Sequence, residues 1–464
     1  MKATEAKTFN DLLNAGLENF ADSICYSDIT PNGFIDVTYK EFYARVEEYK
    51  QEMTAADWSC TGIILDNSVK CLAALFASII TGRQTVLLNP MASIEELKIA
   101  TAYADVDHII FDPECYNEKN VAALLPYVHE PSLRFLAEEG KEGNVLFFTS
   151  GTTELAKAVE LTPEALCNAG SESAKHFEFV ADGNQRNLMI LPLSHIFGFT
   201  TTFMACFMLG VRGYLCKSPK YAMRDLAIVR PTILISVPTI VTFLTAAKKF
   251  NPELKLAVIG GSQCRKDVAA YMRSIGITVF CGYGLTETSA VISCNKANGE
   301  CDVMEPWNSK IKIAEDGEIL VLNNRLMKGY YKAEESTKAT FDEEGYLRTG
   351  DTGYIDEDGM LHLTGKKKDM LVLGSGVKVF CPEWEMQLNA LLKEDDLALA
   401  LKDEKLVLVI ATEHPEKRDE YRQKVAEYNK TKAHDCKISD IILSATPLPR
   451  TATGKIKRYA IKFE

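Results

Sequence analysis

Up to about residue 290, two kinds of apolar pattern alternate, and this alternation constrains the fold more than any other feature. Thr38–Met53 carries the spacing of an amphipathic helix, and Gly62–Leu65 is a short apolar strand. Val69–Thr81 reads as a helix that stops at Gly82, followed by a strand at Gln84–Leu88. Ile94–Tyr103 is helical again, with a strand at His108–Phe111. The rhythm returns at the strands Thr232–Ser236, Lys255–Ile259 and Thr278–Gly282. Strands separated by helices of this length predict a parallel sheet in an α/β layering.

From about 310 the texture changes. Lys310–Ala314, Glu318–Leu322, Gly353–Asp356 and Met360–Thr364 are short strand patterns, broken by the turn signals Asp316-Gly317 and Asp358-Gly359. They predict an antiparallel or barrel-like part. Beyond Lys366 follows a tail with a helix near Pro382–Leu392, strands near Leu397–Leu401 and Leu406–Ala411, and a charged helix near Pro415–Asn429. At roughly 150 residues per unit, 464 residues allow about three domain-sized units. The expected division is an N-terminal α/β body, 1–366, carrying the β-rich part, and a small α+β C-terminal domain, 367–464.

A composition of 47% hydrophobic and 25% charged residues is that of a globular chain and excludes fibrous or disordered classes. The net charge of -12 argues against nucleic-acid binding, because such a surface repels a phosphate backbone. The thirteen cysteines are scattered from Cys25 to Cys436 with no C-x-x-C spacing. They read as small core hydrophobes in a reducing compartment rather than as a disulfide framework or zinc ribbon. The polar start MKATEAKTFNDLL is no signal peptide. The longest apolar runs, Leu72–Ile80 and Phe203–Val211, fall far short of the roughly 20 residues that span a bilayer, so a cytoplasmic protein without a transmembrane segment is expected.

Four segments carry chemistry. In Val145–Val159, VLFFTSGTTELAKAV, an apolar strand runs into Ser150, Gly151, Thr152 and Thr153. Hydroxyls and turn N–H groups so dense suit a phosphate, and Lys157 adds a point charge, although a polar hairpin tip has the same composition. It is not a Walker A loop, since G-x-x-x-x-G-K-[ST] does not occur. In Gly282–Ser289, GYGLTETS, Tyr283 offers an aromatic face, Thr286 a hydroxyl and Glu287 a hard oxygen ligand suited to Mg²⁺. In Arg348–Asp351, RTGD, a loop ends on a carboxylate that can accept two ribose hydroxyls. The tail LPRTATGKIKR, Leu448–Arg458, sets Lys455 after a glycine turn, and 450–464 is locally basic in an acidic chain.

Taken in order, these segments resemble the adenylate-forming (AMP-binding) superfamily, most closely its fatty acyl-CoA synthetase and acyl-CoA ligase branch. The likeness extends from about Thr38 to Arg458. It rests on TSGTT (Thr149–Thr153), LPLSHIFG (Leu191–Gly198), GGS (Gly260–Ser262), GYGLTE (Gly282–Glu287), RTGD, GKKKDMLVLGSG (Gly365–Gly376) and RTATGK (Arg450–Lys455).

The resemblance implies two half-reactions. A carboxylate attacks the α-phosphate of Mg·ATP to give an acyl-adenylate and pyrophosphate; a thiol of coenzyme A or phosphopantetheine then takes the acyl group. It implies that Thr149, Ser150, Gly151, Thr152, Thr153 and Lys157 hold the β- and γ-phosphates. Tyr283 and Gly284, with Gly260, Gly261 and Ser262, would line the adenine pocket. Thr286 would bond the α-phosphate, Glu287 would ligate Mg²⁺ and Asp351 would take the ribose hydroxyls. Lys455 would bridge carboxylate and α-phosphate, and His195 would gate the acyl and thiol channels. The C-terminal domain is implied to turn at Lys368, replacing Lys455 with Gly374–Gly376.

The chain departs from the pattern in places. The phosphate loop continues Glu154, Leu155, Ala156, Lys157, Ala158 where the family has G-x-P-K-G, Lys366 replaces the ribose-binding arginine, and Cys381 stands at a usual proline. Ile196 occupies the position where amino-acid-activating members place an aspartate, which disfavours a free α-amino acid. Mostly apolar or small segments, Ile196–Met204, Ile235–Thr239 and Cys281–Ser293, suit a fatty or aryl acid. Two other functions stay open at this level: loading of an acyl carrier protein, and non-catalytic sensing of a nucleotide or acyl-AMP.

Overall fold

A computed structural model describes the chain except Cys115, Glu404, Lys457, Glu464 and residues 150–156, 178–183, 374–377, 433–435 and 451–455. For Pro219, Lys368, Val372, Lys378, Phe380, Glu383 and Tyr459 it describes the backbone alone. Two compact units result. The first takes Met1–Lys312, Leu320–Thr349 and Ile355–His362; the second takes Ile313–Ile319, Gly350–Tyr354 and Leu363–Glu464.

In the first unit the predicted alternation becomes two sheets. The smaller has the order Gly329–Tyr330, Ala158–Leu161, Val145–Phe148, Gln84–Leu88, Cys60–Ile64, His108–Ile110. Its last four strands run parallel, and Val145–Phe148 pairs antiparallel with Ala158–Leu161. In the larger sheet Ile24–Thr30, Arg212–Leu215, Arg186–Met189, Ile233–Ser236, Leu256–Ile259 and Thr278–Tyr283 are parallel neighbours. Antiparallel pairing begins at Ser293–Cys294, which lies against Gly282 and Tyr283, and continues through Val303–Pro306 to Leu361–Lys366. The change of texture expected near 310 therefore starts at Ser293.

Local chemistry sets the element ends. Helix Tyr39–Thr54 begins in a capping box, where Glu41 N–H donates to Thr38 Oγ1 at 3.2 Å and Thr38 N–H to Glu41 Oε2 at 2.8 Å. Val69–Ile80 starts at Ser68, whose hydroxyl accepts from Cys71 N–H, and the chain leaves it at Gly82 with φ +79°. Ten of its twelve residues are buried, as expected of a helix apolar on every side. It lies in the main core, where Phe76 meets Phe9 at 5.1 Å and Phe42 at 5.5 Å between ring centres.

In the second unit, Leu397–Lys402, Lys405–Ala411 and Asp440–Ser444 form a three-stranded sheet. Helices Cys381–Leu392 and Arg418–Lys430 cover one face through Leu388, Leu392, Tyr421 and Val425. This is the small α+β part that the sequence predicts.

Of the ten free cysteines described, nine are buried, as the core reading expects. Cys281 and Cys301 depart from it, because their sulfurs are bonded. Sequence spacing gave no sign of the pair; a turn folds Cys301 back onto the strand that carries Cys281. Among the described residues, no helix is long and apolar enough to cross a membrane.

Candidate active site

Four of the predicted segments meet in the first unit. The strand Val145–Phe148 and its antiparallel partner Ala158–Leu161 bound the TSGTT loop, and Thr149 N–H donates to the Lys157 carbonyl at 3.0 Å. The strands that flank the segment are thus a hairpin pair. Ser150, Gly151, Thr152 and Thr153, with Glu154, lie outside the described residues. Lys157 is exposed, and its Nζ stands 4.4 Å from the centre of the Tyr330 ring.

Tyr330 reaches that place because Gly329–Tyr330 adds a short strand beside Ala158–Leu161, with Tyr330 opposite Val159. Its phenol donates to Glu287 Oε1 at 2.8 Å. Burial, and then the charge of Glu287, push the phenol far above its ordinary range, so it remains a donor. Glu287 sits in the single helical turn Thr286–Thr288, and its carbonyl accepts from Met327 N–H at 2.8 Å. With Oε1 taken by the phenol, the second carboxylate oxygen is suited to a hard divalent cation, so the side chain fits the Mg²⁺ role.

The GYGLTE loop is closed on itself. Leu285 N–H donates to Thr288 Oγ1 at 3.0 Å, Ala290 N–H to the Leu285 carbonyl at 2.9 Å, and Ile292 N–H to the Tyr283 carbonyl at 2.9 Å. The closure demands glycine at 284, where a Cβ would stand 1.4 Å from the Ala290 carbonyl oxygen. Ser289 and Ala290 follow with φ of +52° and +81°, a left-handed pair that only the surrounding bonds sustain. Ser289 donates to the Arg325 carbonyl at 2.8 Å and accepts at its own carbonyl from Thr200 at 3.3 Å.

Thr200 belongs to a rare π-helix, Gly198–Met204, directly after the His195 segment. A Cβ at Gly198 would meet the Pro192 carbonyl at 2.5 Å, so the chain passes there only as glycine. Phe197 lies against Gly260, where a Cβ would come 2.9 Å from its ring, and Gly261 turns with φ +82°. Phe197 thus sets LPLSHIFG against GGS, the Thr200–Ser289 bond joins the stretches that follow LPLSHIFG and GYGLTE, and Tyr283 and Ser262 are solvent-accessible on the same unit. His195 has an exposed rim in protein-dense surroundings, whose desolvation lowers its pKa below the ordinary value. Phe199, Phe203 and Met204, expected beside an acyl pocket, are filled into the main core.

The remaining predicted residues lie in the second unit. Asp351 is 5% exposed and paired with Lys366. It stands inside the strand Leu347–Ile355 rather than at the end of a loop, because the apolar pattern continues past it and Thr364 donates to Thr352 across the pair at 3.0 Å. Lys367 is held by Asp316 at 2.6 Å and Glu318 at 2.9 Å, and the single turn Lys367–Asp369 contains Lys368. Lys455 and Gly374–Gly376 lie outside the described residues. Around Lys455 the chain is anchored by a β-bridge between Arg450 and Ile456, by Arg450 to Asp396 at 2.6 Å and by Leu448 N–H to Asp396 at 3.0 Å.

Sequence reasoning missed Tyr330 and Arg325. Nothing local marks Tyr330, which is 43 residues from Glu287. Arg325 is completely buried, donating to the Trp307 carbonyl and Ser309 Oγ at 2.5 and 2.9 Å. A cavity of about 670 Å³ in the first unit borders Pro192 but contains none of the predicted site residues. Lys217, Lys220 and Arg224 line it together with Asp66, Glu114 and Asp225, so its charges balance.

The family described as AMP-binding enzyme matches residues 14–331, and the chain belongs to it. It is 28% identical over 318 residues to a long-chain-fatty-acid–CoA ligase, FadD15, of Mycobacterium bovis, covering 56% of this chain and 52% of that protein. It thus spans about half the length of that relative. A 2-succinylbenzoate–CoA ligase of Bacillus velezensis is 26% identical over 471 residues, 92% of each chain. In fold it matches the O-succinylbenzoate coenzyme A synthetase MenE of Bacillus subtilis in complex with AMP, with TM-score 0.78, 21% identity and 98% of both chains covered.

Proposed function

We propose that the protein activates a carboxylic acid, fatty or aryl, with ATP to give an acyl-adenylate and pyrophosphate, and then transfers the acyl group to the thiol of coenzyme A. The observation that carries this reading is the line Lys157–Tyr330–Glu287. It sets a cation and a carboxylate on either side of one phenol, at the mouth of the TSGTT hairpin. A triphosphate there meets the Lys157 cation, and at the Glu287 carboxylate, which alone would repel it, Mg²⁺ would supply the positive charge. Relatives named as fatty-acid and succinylbenzoate CoA ligases support a fatty or aryl acid and coenzyme A as acceptor.

In this reading the chain supplies no covalent nucleophile. Thr286 bonds the α-phosphate, Tyr283 stacks on adenine between the GGS and GYGLTE loops, Asp351 receives the ribose and Lys366 orients it. Lys455 neutralises the repulsion between carboxylate and α-phosphate, worth several kcal/mol at protein dielectrics of about 20. Residues 367–464 act as a mobile cap that turns at Lys368 between half-reactions. The buried free thiols suit a cytoplasmic location.

Pyrophosphate release with a panel of fatty, aryl and amino acids is the test, followed by addition of coenzyme A or a holo carrier protein. Release with fatty or aryl acids and thioester formation with coenzyme A are expected. No release with any acid would overturn catalysis and leave a nucleotide sensor; transfer only to the carrier protein would overturn the acceptor. Lys455→Ala is expected to abolish adenylate formation while leaving preformed acyl-adenylate reactive towards thiol.

A further inference from the structure

Behind the nucleotide loops, three sulfurs converge. Those of Cys264, Cys281 and Cys301 lie within 4.8 Å of one another, and all three residues are buried. Cys264 stands two residues past Ser262, and Cys281 is the last residue before the GYGLTE motif. Cys301 closes a turn that folds onto the same strand. Asn295 accepts from Cys281 N–H at 2.7 Å and donates to the Gly299 carbonyl at 2.7 Å, while Asn298 accepts from Val279 N–H at 3.0 Å. The turn sets the Cα atoms of Cys281 and Cys301 5.2 Å apart, inside the span that a disulfide bridges.

Arg273 supplies the charge such chemistry needs. Its guanidinium donates to the Gly299 carbonyl and lies 3.7 Å from Cys301 Sγ. It opposes the burial that raises the Cys264 pKa. A guanidinium 3.7 Å from one of the three sulfurs also weighs against a resident cation.

We propose that Cys264, Cys281 and Cys301 form a thiol–disulfide site, in which Cys281 and Cys301 are oxidised to a disulfide and Cys264 is the third thiol that exchanges with it. In a reducing compartment such a pair is a redox-responsive element rather than a permanent staple. With a peroxide as oxidant, the Cys301 thiolate attacks one peroxide oxygen, the O–O bond breaks, and water leaves as sulfenic acid forms. The Cys281 thiol then attacks that sulfur, the S–S bond forms, and the sulfenic oxygen leaves as a second water. Two thiols are oxidised and one peroxide is reduced to two waters. Attack by Cys264 on either bonded sulfur releases the other thiol and conserves the electrons. The inference does not depend on the nucleotide being ATP.

The test uses the full chain, treated with hydrogen peroxide, unfolded in an alkylating agent and mapped by mass spectrometry. Wild type is expected to show two fewer alkylated thiols than its thirteen, with 281 joined to 301, and dithiothreitol restores both. Cys301→Ser is expected to give a 264–281 link instead, and Cys264→Ser to retain 281–301 alone. Because a serine here could disturb folding, the wild-type melting midpoint is a second measurement. It is expected to rise by several degrees on oxidation and to fall back on reduction. Thirteen alkylated thiols after peroxide would overturn the proposal. So would joint protection of all three cysteines until a chelator removes a bound metal.

Discussion

Tyr330 donates its phenolic hydrogen to Glu287 Oε1 across 2.8 Å, while the same ring carries the Lys157 ammonium at 4.4 Å. One side chain thereby sets the separation between the cation of the TSGTT hairpin and the carboxylate of the GYGLTE loop. Without the phenol, Glu287 loses its fixed orientation.

Tyr330→Phe should therefore reduce acyl-adenylate formation more than it disturbs the fold. A hydrogen bond to a charged group contributes about 1.5–3 kcal/mol, which corresponds to a roughly 10–100-fold loss. Added Mg²⁺ should recover part of it. Pyrophosphate release against Mg²⁺ concentration measures the effect; unchanged activity at limiting Mg²⁺ would remove Tyr330 from the site.

Gly284→Ala tests whether the loop closure is obligatory. The added carbon would overlap the Ala290 carbonyl, whereas a Cβ at Gly282 meets nothing within 4 Å. Gly284→Ala should cost about 3 kcal/mol or more of stability and abolish activity, with Gly282→Ala close to wild type on the stability scale. Thermal melting of the two variants side by side decides it.

Arg325→Ala should destabilise the first unit by roughly 3–5 kcal/mol, since it strands buried carbonyls and the partner Glu172, 3.8 Å away. Burial lowers the guanidinium pKa, and Glu172 opposes that shift. Glu172→Gln should cost less, because Arg325 keeps its carbonyl acceptors. Denaturant midpoints of both variants compare the two.

For His195 the expectation concerns pH. Desolvation by the surrounding protein disfavours its charged form, so the neutral ring persists below the ordinary histidine value of about 6.5. The stability this ring contributes is present above that value and is lost as pH falls through the lowered one. The thioester-forming step should hold its rate down to mildly acidic pH and then decline, and His195→Phe should remove that decline. A pH profile of acyl transfer from preformed adenylate reads it directly.

Much of the fold was legible because its signals are local. Apolar periodicity, the stop at Gly82 and the Asp-Gly turns act over a few residues. They placed Gln84–Leu88, Ile94–Tyr103 and Glu318–Leu322 at their observed bounds. The strand around Asp351 was not placed so well. Arg-Thr-Gly-Asp has turn composition, and only pairing across the sheet makes it strand.

The candidate site divides along the same line. The residue types and their order were in the sequence, because phosphate, Mg²⁺ and adenine each require particular donor groups on particular loops. What sets those groups apart in space was not. Tyr330 on Glu287, Phe197 on Gly260, Arg325 behind Ser289 and Cys301 against Cys281 join residues 20 to 63 positions apart. Periodicity and turn propensity determine which elements form; the packing of one element on another decides which side chains meet.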